Sequence, residues 1–198
     1  MGLKIVQVGE PVLRDAARAL TPQEILGEEM QRLIREMREA MHDAPGVGLA
    51  APQVGLPLQL AVIEDREDLL KALPVEDLAE RERRPVPFHV IINPAIVYSS
   101  DERKHFYEGC LSLPGFSAVV PRVRTIRVQY LDEHAEPQFV QASGWYARIL
   151  QHEIDHLQGA LYIDRMQPRT FTTLDNWTHY HKGKPIPSDS PEPPKDGD

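Results

Sequence analysis

Hydrophobic residues recur at helical spacing in two long stretches of the chain. The first stretch, 22–42, follows Thr21, a suitable N-cap, and begins with Pro22, which favours the first turn of a helix. Its apolar stripe consists of Ile25, Leu33, Ile34, Met37 and Met41. The second stretch follows Ser143, again a suitable N-cap, and runs to Gly159, which can end a helix. The pattern therefore predicts two long helices.

Apolar runs predict four strands between and around these helices. The runs 58–63 and 88–92 are separated by the charged segment 64–84, which we interpret as a surface insertion with a solvated charged face. The runs 123–130 and 136–142 alternate around a turn at 132–135 and predict an antiparallel hairpin. Because strands precede the second helix instead of alternating regularly with helices, the expected fold class is α+β, with antiparallel or mixed strands packed around that helix.

Composition narrows the class of protein. The chain has 198 residues, 41% of them hydrophobic, which is enough for the core of one domain. With no apolar run of about 18 residues, no signal sequence and a single cysteine, we expect a cytoplasmic protein without a membrane span. The net charge of −8 argues against a general nucleic-acid binder, although a local basic patch could touch ribosomal RNA. The polar, proline-rich tail 177–198 is expected to be disordered.

The second predicted helix carries the sequence Gln-His-Glu-Ile-Asp-His at 151–156. Each helical residue turns by about 100°, so His152 and His156 share one face and can bind one cation. Glu153 is rotated away from that face, where it can reach a water on the cation and act as a general base. A chance HExxH on a solvated surface helix is the alternative.

A catalytic metal site normally has three protein ligands and one open position. The longer zincin pattern would place a third histidine where this chain has Tyr162. A thiolate from Cys110, the single cysteine, is the strongest remaining candidate. A lone cysteine is also commonly a small buried hydrophobe, and the residues alone leave both interpretations open.

A third motif is the block of small residues at 46–55, which contains Gln53. Its glycines permit close approach of the backbone, and the Gln53 amide could donate to an anionic oxygen. Taken alone, the block also fits a tight structural turn.

The blocks Gly-Val-Gly-Leu-Ala-Ala-Pro-Gln at 46–53, Glu-Gly-Cys-Leu-Ser at 108–112 and Gln-His-Glu-Ile-Asp-His at 151–156 resemble, in their order, the signature blocks of the peptide deformylases. The segments 114–122, 144–145 and 168–172 further resemble the branch with organellar and some bacterial members. The resemblance implies that residues 1–176 form a catalytic domain that removes the N-terminal formyl group from nascent formyl-methionyl polypeptides.

The resemblance also implies the roles of individual residues. Cys110, His152 and His156 would bind one divalent ion, which in this family is usually Fe²⁺, with Ni²⁺, Co²⁺ or Zn²⁺ as substitutes. Glu153 would be the base, and the side chain of Gln53 with the backbone N–H of Leu111 would stabilise the oxyanion. The residues expected to border the substrate are Val47, Gly48, Phe106, Gly109, Trp145, Arg148 and Ile149.

Three charged residues are candidates for support of the site. Asp155 could orient a ligand, and Glu108 could pair with Arg122 to hold the loop around Cys110. Ordinary surface charges are the alternative for all three.

Two other function classes remain open at this stage. One is an HExxH metallopeptidase that cleaves internal peptide bonds, and the other is an inactive relative that only binds peptides or ribosomes. The presence of Glu153, Gln53 and all three ligand candidates disfavours the second. The sequence leaves transient ribosome contact open and gives no indication of the oligomeric state; sequence-specific nucleic-acid binding is not expected.

Overall fold

The computed structural model describes residues 2–186 as an α+β fold, as predicted. Its helices are α1 (Pro22–Ile25), α2 (Glu28–Asp43), α3 (Glu67–Leu70), α4 (Val75–Glu80), α5 (Gly144–Leu157) and α6 (Leu174–Asn176). Its strands are β1 (Gly48–Ala50), β2 (Leu60–Asp65), β3 (Val86–Ser99), β4 (Arg103–Cys110), β5 (Leu113–Val123), β6 (Thr125–Leu131), β7 (Pro137–Ser143) and β8 (Thr172–Thr173).

The strands form two antiparallel sheets. One has the order β1-β2-β3-β6-β7 and the other β4-β5-β8. Helix α5 contacts strands of both sheets, and its apolar residues Ala147, Leu150, Ile154 and Leu157 are buried with side chains of the larger sheet. This enclosure buries most of the helix, so polar side chains such as Gln151, Glu153 and Asp155 are buried as well as apolar ones. The fold therefore holds the HExxH helix between the two sheets.

The hairpin of β6 and β7 has the predicted pairing. Its register runs from Thr125 opposite Ser143 to Leu131 opposite Pro137. At the turn, the Asp132 carboxylate accepts hydrogen bonds from the backbone N–H groups of His134 and Glu136, at 2.9 Å each. These bonds satisfy backbone N–H groups that have no partner on a neighbouring strand where the chain reverses direction. The turn thus fixes the register that places β7 directly before α5.

The prediction of one continuous helix over 22–42 is wrong, because two separate helices, α1 and α2, occupy this stretch. Thr21 caps α1 through reciprocal bonds with Glu24, as the sequence predicts for the cap. The chain then becomes extended at Gly27, which is the N-cap of α2. A Cβ atom at Gly27 would lie 3.2 Å from the carbonyl oxygen of Glu24, so glycine permits this tight restart.

Ser143 lies at the N-cap position of α5, but its side chain makes no capping bond. Its hydroxyl instead shares a hydrogen bond of 2.9 Å with Thr125 across the hairpin. A residue outside the helix binds its first turn instead: the backbone N–H of Trp145 donates a hydrogen bond to the carbonyl of Arg81. Tertiary contact has therefore replaced the local cap.

The segment 64–84 has an exposed charged face over 67–80, as expected from its charges, but its end is not solvated. Its end packs on the start of α5, where the guanidinium of Arg81 lies 5.0 Å from the centre of the Trp145 ring. Arg83 donates two hydrogen bonds, 2.8 and 2.9 Å, to the buried carboxylate of Asp65. Arg81 is thus stacked on Trp145, and Arg83 is paired with Asp65. Charge composition could not reveal that contact.

The start of the predicted tail is described and packs on the domain. Residues Trp177–His181 form a single helical turn, and the Trp177 ring lies 6.0 Å from that of Tyr107. The structure therefore differs here from the disordered chain expected from 177 onward. The rest of the predicted tail, 187–198, lies outside the described residues. Among residues 2–186, none of the helices is long and apolar enough to cross a membrane.

Candidate active site

Three possible metal ligands converge at the centre of the fold. Cys110 ends β4, whereas His152 and His156 lie one turn apart on α5. One donor atom from each lies within 4.8 Å of the other two, and Cys110 Sγ is 3.3 Å from His156 Nε2. One sulfur and two imidazole nitrogens suit a divalent transition-metal ion, and three protein ligands leave a position for water or substrate. The residues present therefore fit the implied ion.

Glu153 lies beside this cluster and is almost fully buried. Burial raises the pKa of its carboxyl to about 7, despite the opposing charge of His152. One carboxylate oxygen, Oε2, has no hydrogen-bond partner among the described residues. A buried carboxyl with a free oxygen and a near-neutral pKa can accept and return a proton at neutral pH.

The position of Glu153 depends on the absence of a side chain at Gly48. A Cβ atom built on Gly48 would lie 2.2 Å from Glu153 Oε1 and 2.6 Å from the carboxyl carbon. Such contacts are far inside van der Waals distance, so the carboxylate would have to move. Glycine at 48 is therefore a requirement of the site.

We expect Gly48→Ala to lower kcat by about a hundredfold, because a displacement of about 1 Å misaligns a proton-transferring group. Steady-state kinetics with metal content measured on the same sample would check this. Gly2→Ala is a matched control, since a Cβ there meets nothing within 4 Å. Equal kcat in Gly48→Ala and wild type would show that the carboxylate tolerates the displacement.

Gln53 places its amide group against the ligand cluster. Its Oε1 accepts a 2.9 Å hydrogen bond from the backbone N–H of Ala50, which fixes the orientation of the side chain. Its Nε2 then lies 3.5 Å from Cys110 Sγ and 3.3 Å from Ser112 Oγ. Leu111 lies between these two residues in the chain and lines the same cavity. The amide donor is therefore preoriented at the site.

A network of buried ion pairs contacts the ligand candidate His152. The Glu108 carboxylate accepts two 3.0 Å bonds from Arg122 and one of 3.1 Å from His152 Nδ1. Burial would raise the pKa of Glu108, but the charge of Arg122 and hydrogen bonds from His152 and Arg122 hold that pKa far below its usual range. Arg122 also bonds Asp155, which Arg165 contacts through two 2.7 Å bonds. Glu108 can thus fix the orientation of the His152 ring.

Arg148 joins the same network instead of facing the substrate as a free cation. Its guanidinium donates to Glu108 at 2.6 Å and to the carbonyls of Val120 and Lys104. Burial lowers its pKa to about 10, although Glu108 opposes that shift. The side chain therefore forms part of the cavity wall, while its positive charge is paired with the buried carboxylate of Glu108. The sequence carried no local signal for this role, nor for the part played by Arg165.

The cluster opens into a cavity of about 330 Å³. Six of the seven residues expected to border the substrate line it: Val47, Gly48, Gly109, Trp145, Arg148 and Ile149. Phe106 is the exception, and its placement in the lining was wrong. It is buried with its ring edge-on to Trp145, 6.2 Å between centres, because neighbouring residues of β4 point to opposite faces. The cavity instead receives Tyr107, which the sequence did not single out.

Three ligand donors, an open position and an adjacent buried carboxylate on an HExxH helix are typical of metal-dependent hydrolases. Comparison with known proteins defines the class more narrowly. The family model for polypeptide deformylase matches residues 2–172. The chain belongs to the polypeptide deformylase family.

Individual relatives agree with that assignment. Peptide deformylase 1A of Arabidopsis thaliana, chloroplastic/mitochondrial, is 47% identical over 87% of this chain and 64% of its own. Peptide deformylase 1 of Bifidobacterium longum is 46% identical over 96% and 84%. The Met-Ala-Ser-bound crystal structure of the Acinetobacter baumannii enzyme superposes with a TM-score of 0.74 at 29% identity, over 84% and 99%. The chain spans less than two thirds of the length of the plant relatives that it matches.

Proposed function

We propose that this protein removes the formyl group from N-terminal formyl-methionine of nascent polypeptides and releases formate. The observation that carries the proposal is the convergence of Cys110, His152 and His156 beside the buried carboxyl of Glu153, at the end of a cavity. Family membership narrows the general hydrolase chemistry of that arrangement to a formyl amide. The Met-Ala-Ser complex of the Acinetobacter baumannii relative supports a substrate that begins with methionine.

Cys110, His152 and His156 would hold one divalent ion, for which we propose Fe²⁺ in the cell and Ni²⁺, Co²⁺ or Zn²⁺ as substitutes. When bound, such an ion supplies a Lewis acid that lowers the pKa of water and polarises a carbonyl oxygen. The Glu108 carboxylate accepts a hydrogen bond from His152 Nδ1–H, which leaves Nε2 free as the ligand atom.

Glu153 would act first as a base and then as an acid. Its carboxylate takes a proton from the water that attacks the formyl carbon. It then gives that proton to the amine of methionine as the C–N bond breaks, so the carboxylate is regenerated. The negative charge that develops on the formyl oxygen would be stabilised by Gln53 Nε2 and the backbone N–H of Leu111.

The cavity fits an extended peptide that starts with methionine. Gly48 lies on β1 and Gly109 on β4, which are terminal strands of their sheets within residues 2–186. Terminal strands can pair with the main chain of a peptide without any demand on its side chains. The side chains of Val47, Trp145 and Ile149 offer apolar and aromatic contacts to a methionine thioether.

Removal of the Gln53 amide is expected to lower kcat by about a hundredfold, equivalent to roughly 3 kcal/mol, with a smaller effect on KM. Kinetics of Gln53→Ala on a formyl-Met peptide would measure this. Gln59→Ala is the matched control, because Gln59 makes a comparable bond to the Ala17 carbonyl outside the site. If kcat were unchanged in Gln53→Ala, the amide would have only its structural bond to Ala50.

The experiment that separates the function classes compares formylated and unformylated substrates. Metal-loaded protein should release formate from formyl-Met-Ala-Ser and leave both Met-Ala-Ser and unfolded casein intact. Cleavage of casein would identify a metallopeptidase, and binding of the formyl peptide without formate release would identify an inactive relative.

Nascent chains are the proposed partners, and transient contact with the ribosome remains a prediction. The cytoplasmic location likewise remains a prediction from the sequence, since the plant relatives carry chloroplastic or mitochondrial names.

A further inference from the structure

Three guanidinium groups surround the indole ring of Trp145, a residue of the cavity wall. The distances from the guanidinium carbon to the ring centre are 5.0 Å for Arg81, 5.2 Å for Arg83 and 5.8 Å for Arg148. All three are within the range at which a cation is attracted to the face of an aromatic ring. We call these three side chains the arginine cage. The cage limits the orientations that the indole ring can adopt.

Arg81 differs from the other two members of the cage in what fixes its side chain. Arg83 and Arg148 are each bound by a buried carboxylate. The Nε atom of Arg81, in contrast, is buried and has no hydrogen-bond partner among the residues that the structure describes. Its guanidinium lies over two aromatic rings, those of Trp145 and, at 5.6 Å, Phe106. Contact with aromatic faces is therefore the main interaction of this guanidinium.

The backbone around Arg81 is fixed against the start of α5. Its carbonyl accepts a 2.9 Å hydrogen bond from the backbone N–H of Trp145. A Cβ atom on Gly144, which has φ +62°, would lie 2.8 Å from that carbonyl oxygen and 2.5 Å from Glu82 Cβ, so only glycine permits this approach. Arg124 then donates two hydrogen bonds, 2.6 and 2.9 Å, to the Glu82 carboxylate. These contacts give the Arg81 side chain a fixed origin beside the indole ring.

We propose that Arg81 is a positioning residue, which keeps the Trp145 ring in the cavity wall and thereby sets the selectivity for methionine at the first position of the substrate. This inference rests on the proposed function. The ring lines the cavity together with Ile149, where it can contact a long, unbranched thioether. Arg81 is not among the described residues that line the cavity, so it can influence the substrate only through Trp145.

The first test compares formate release from formyl-Met-Ala-Ser and formyl-Ala-Ala-Ser by metal-loaded, full-length wild type and Arg81→Ala. We expect Arg81→Ala to raise KM for the methionine peptide about fivefold, the order of effect of one partly desolvated contact between a cation and a ring. The kcat should change little, because Arg81 contacts neither Glu153 nor the ligand candidates. KM for the alanine peptide should also change little, since a methyl side chain makes little use of the indole surface.

Arg84→Ala is the matched control. It removes the same charge from the same segment, but Arg84 is exposed. This variant should retain the wild-type KM for both peptides. A general loss of stability in Arg81→Ala would lower activity on the two peptides alike, so the ratio of their kcat/KM values separates positioning from a merely structural role.

The second test observes the indole ring directly, without substrate. The chain has two tryptophans, so Trp177→Phe leaves Trp145 as the single one. In this background, Arg81→Ala should increase the quenching of Trp145 fluorescence by acrylamide and shift the emission to longer wavelength, because one face of the ring loses its cover. Arg84→Ala in the same background should change neither quantity.

The outcomes distinguish this inference from the proposed function. The same preference for methionine over alanine in wild type and Arg81→Ala, or unchanged quenching of Trp145, would overturn the positioning role alone. A fall in kcat with unchanged KM would overturn it as well. No formate release from either peptide by the wild type would overturn the proposed function and the selectivity that depends on it, whereas the fluorescence would still report whether Arg81 fixes the ring.

Discussion

Glu153→Gln is expected to retain its metal and lose formate release by roughly a thousandfold or more. Glutamine preserves the size of the side chain but can neither take a proton from water nor return one to the amine, and each transfer typically contributes 10²–10⁴ in rate. The ligand atoms come from other residues, so metal content should not change. Bound metal and formate release should be measured on the same preparation.

Glu136→Gln, at the exposed turn of the hairpin, is the matched control and should retain full activity. Near-normal turnover in Glu153→Gln would remove Glu153 from the proton transfers. Loss of metal from that variant would instead make the carboxylate a ligand.

Arg122→Met is expected to lower the free energy of unfolding by about 3–5 kcal/mol, since removal of one partner leaves buried charges uncompensated. The side chain is buried and bonds both Glu108 and Asp155. Urea unfolding monitored by circular dichroism would measure the change. Arg32→Met, whose native side chain is 65% exposed, should change stability by less than about 0.5 kcal/mol.

The same substitution bears on the metal site. Glu108 would lose its main cationic partner, and its hold on the His152 ring should weaken, so metal affinity should fall as well. An Arg122→Met protein as stable as wild type would show that Glu108 and Asp155 are neutralised by Arg148 and Arg165 alone.

The sequence predicted the parts of the site that depend on local spacing. Two histidines four residues apart on a helix share a face whatever surrounds them, and α5 has that geometry. Cys110 was different, because nothing in the residues around it distinguished a ligand from a buried hydrophobe. The need for a third ligand made Cys110 the strongest candidate, and the resemblance then favoured that role. The fold brings its Sγ to 3.3 Å from His156 Nε2.

The features that the sequence missed depend on distant contacts. Phe106 was assigned to the cavity, but the pleat of β4 turns it behind Trp145 and presents Tyr107 instead. Arg81 belongs to a charged segment, and its contact with Trp145 exists only because the chain returns there. The pattern of residues around Leu174 likewise gives no sign that β8 pairs with β5 beside the cavity.

The central claim is that Cys110, His152 and His156 hold the ion on which formyl-peptide hydrolysis depends. Its most direct test is anaerobic titration of metal-free wild type and Cys110→Ser with Fe²⁺ or Ni²⁺, with bound metal and formate release from formyl-Met-Ala-Ser measured at each step. Wild-type activity should rise from near zero and reach its plateau at one equivalent, whereas Cys110→Ser should bind weakly because a neutral hydroxyl replaces a soft anionic ligand. Full activity of the metal-free wild type, or full occupancy and activity of Cys110→Ser, would contradict the account.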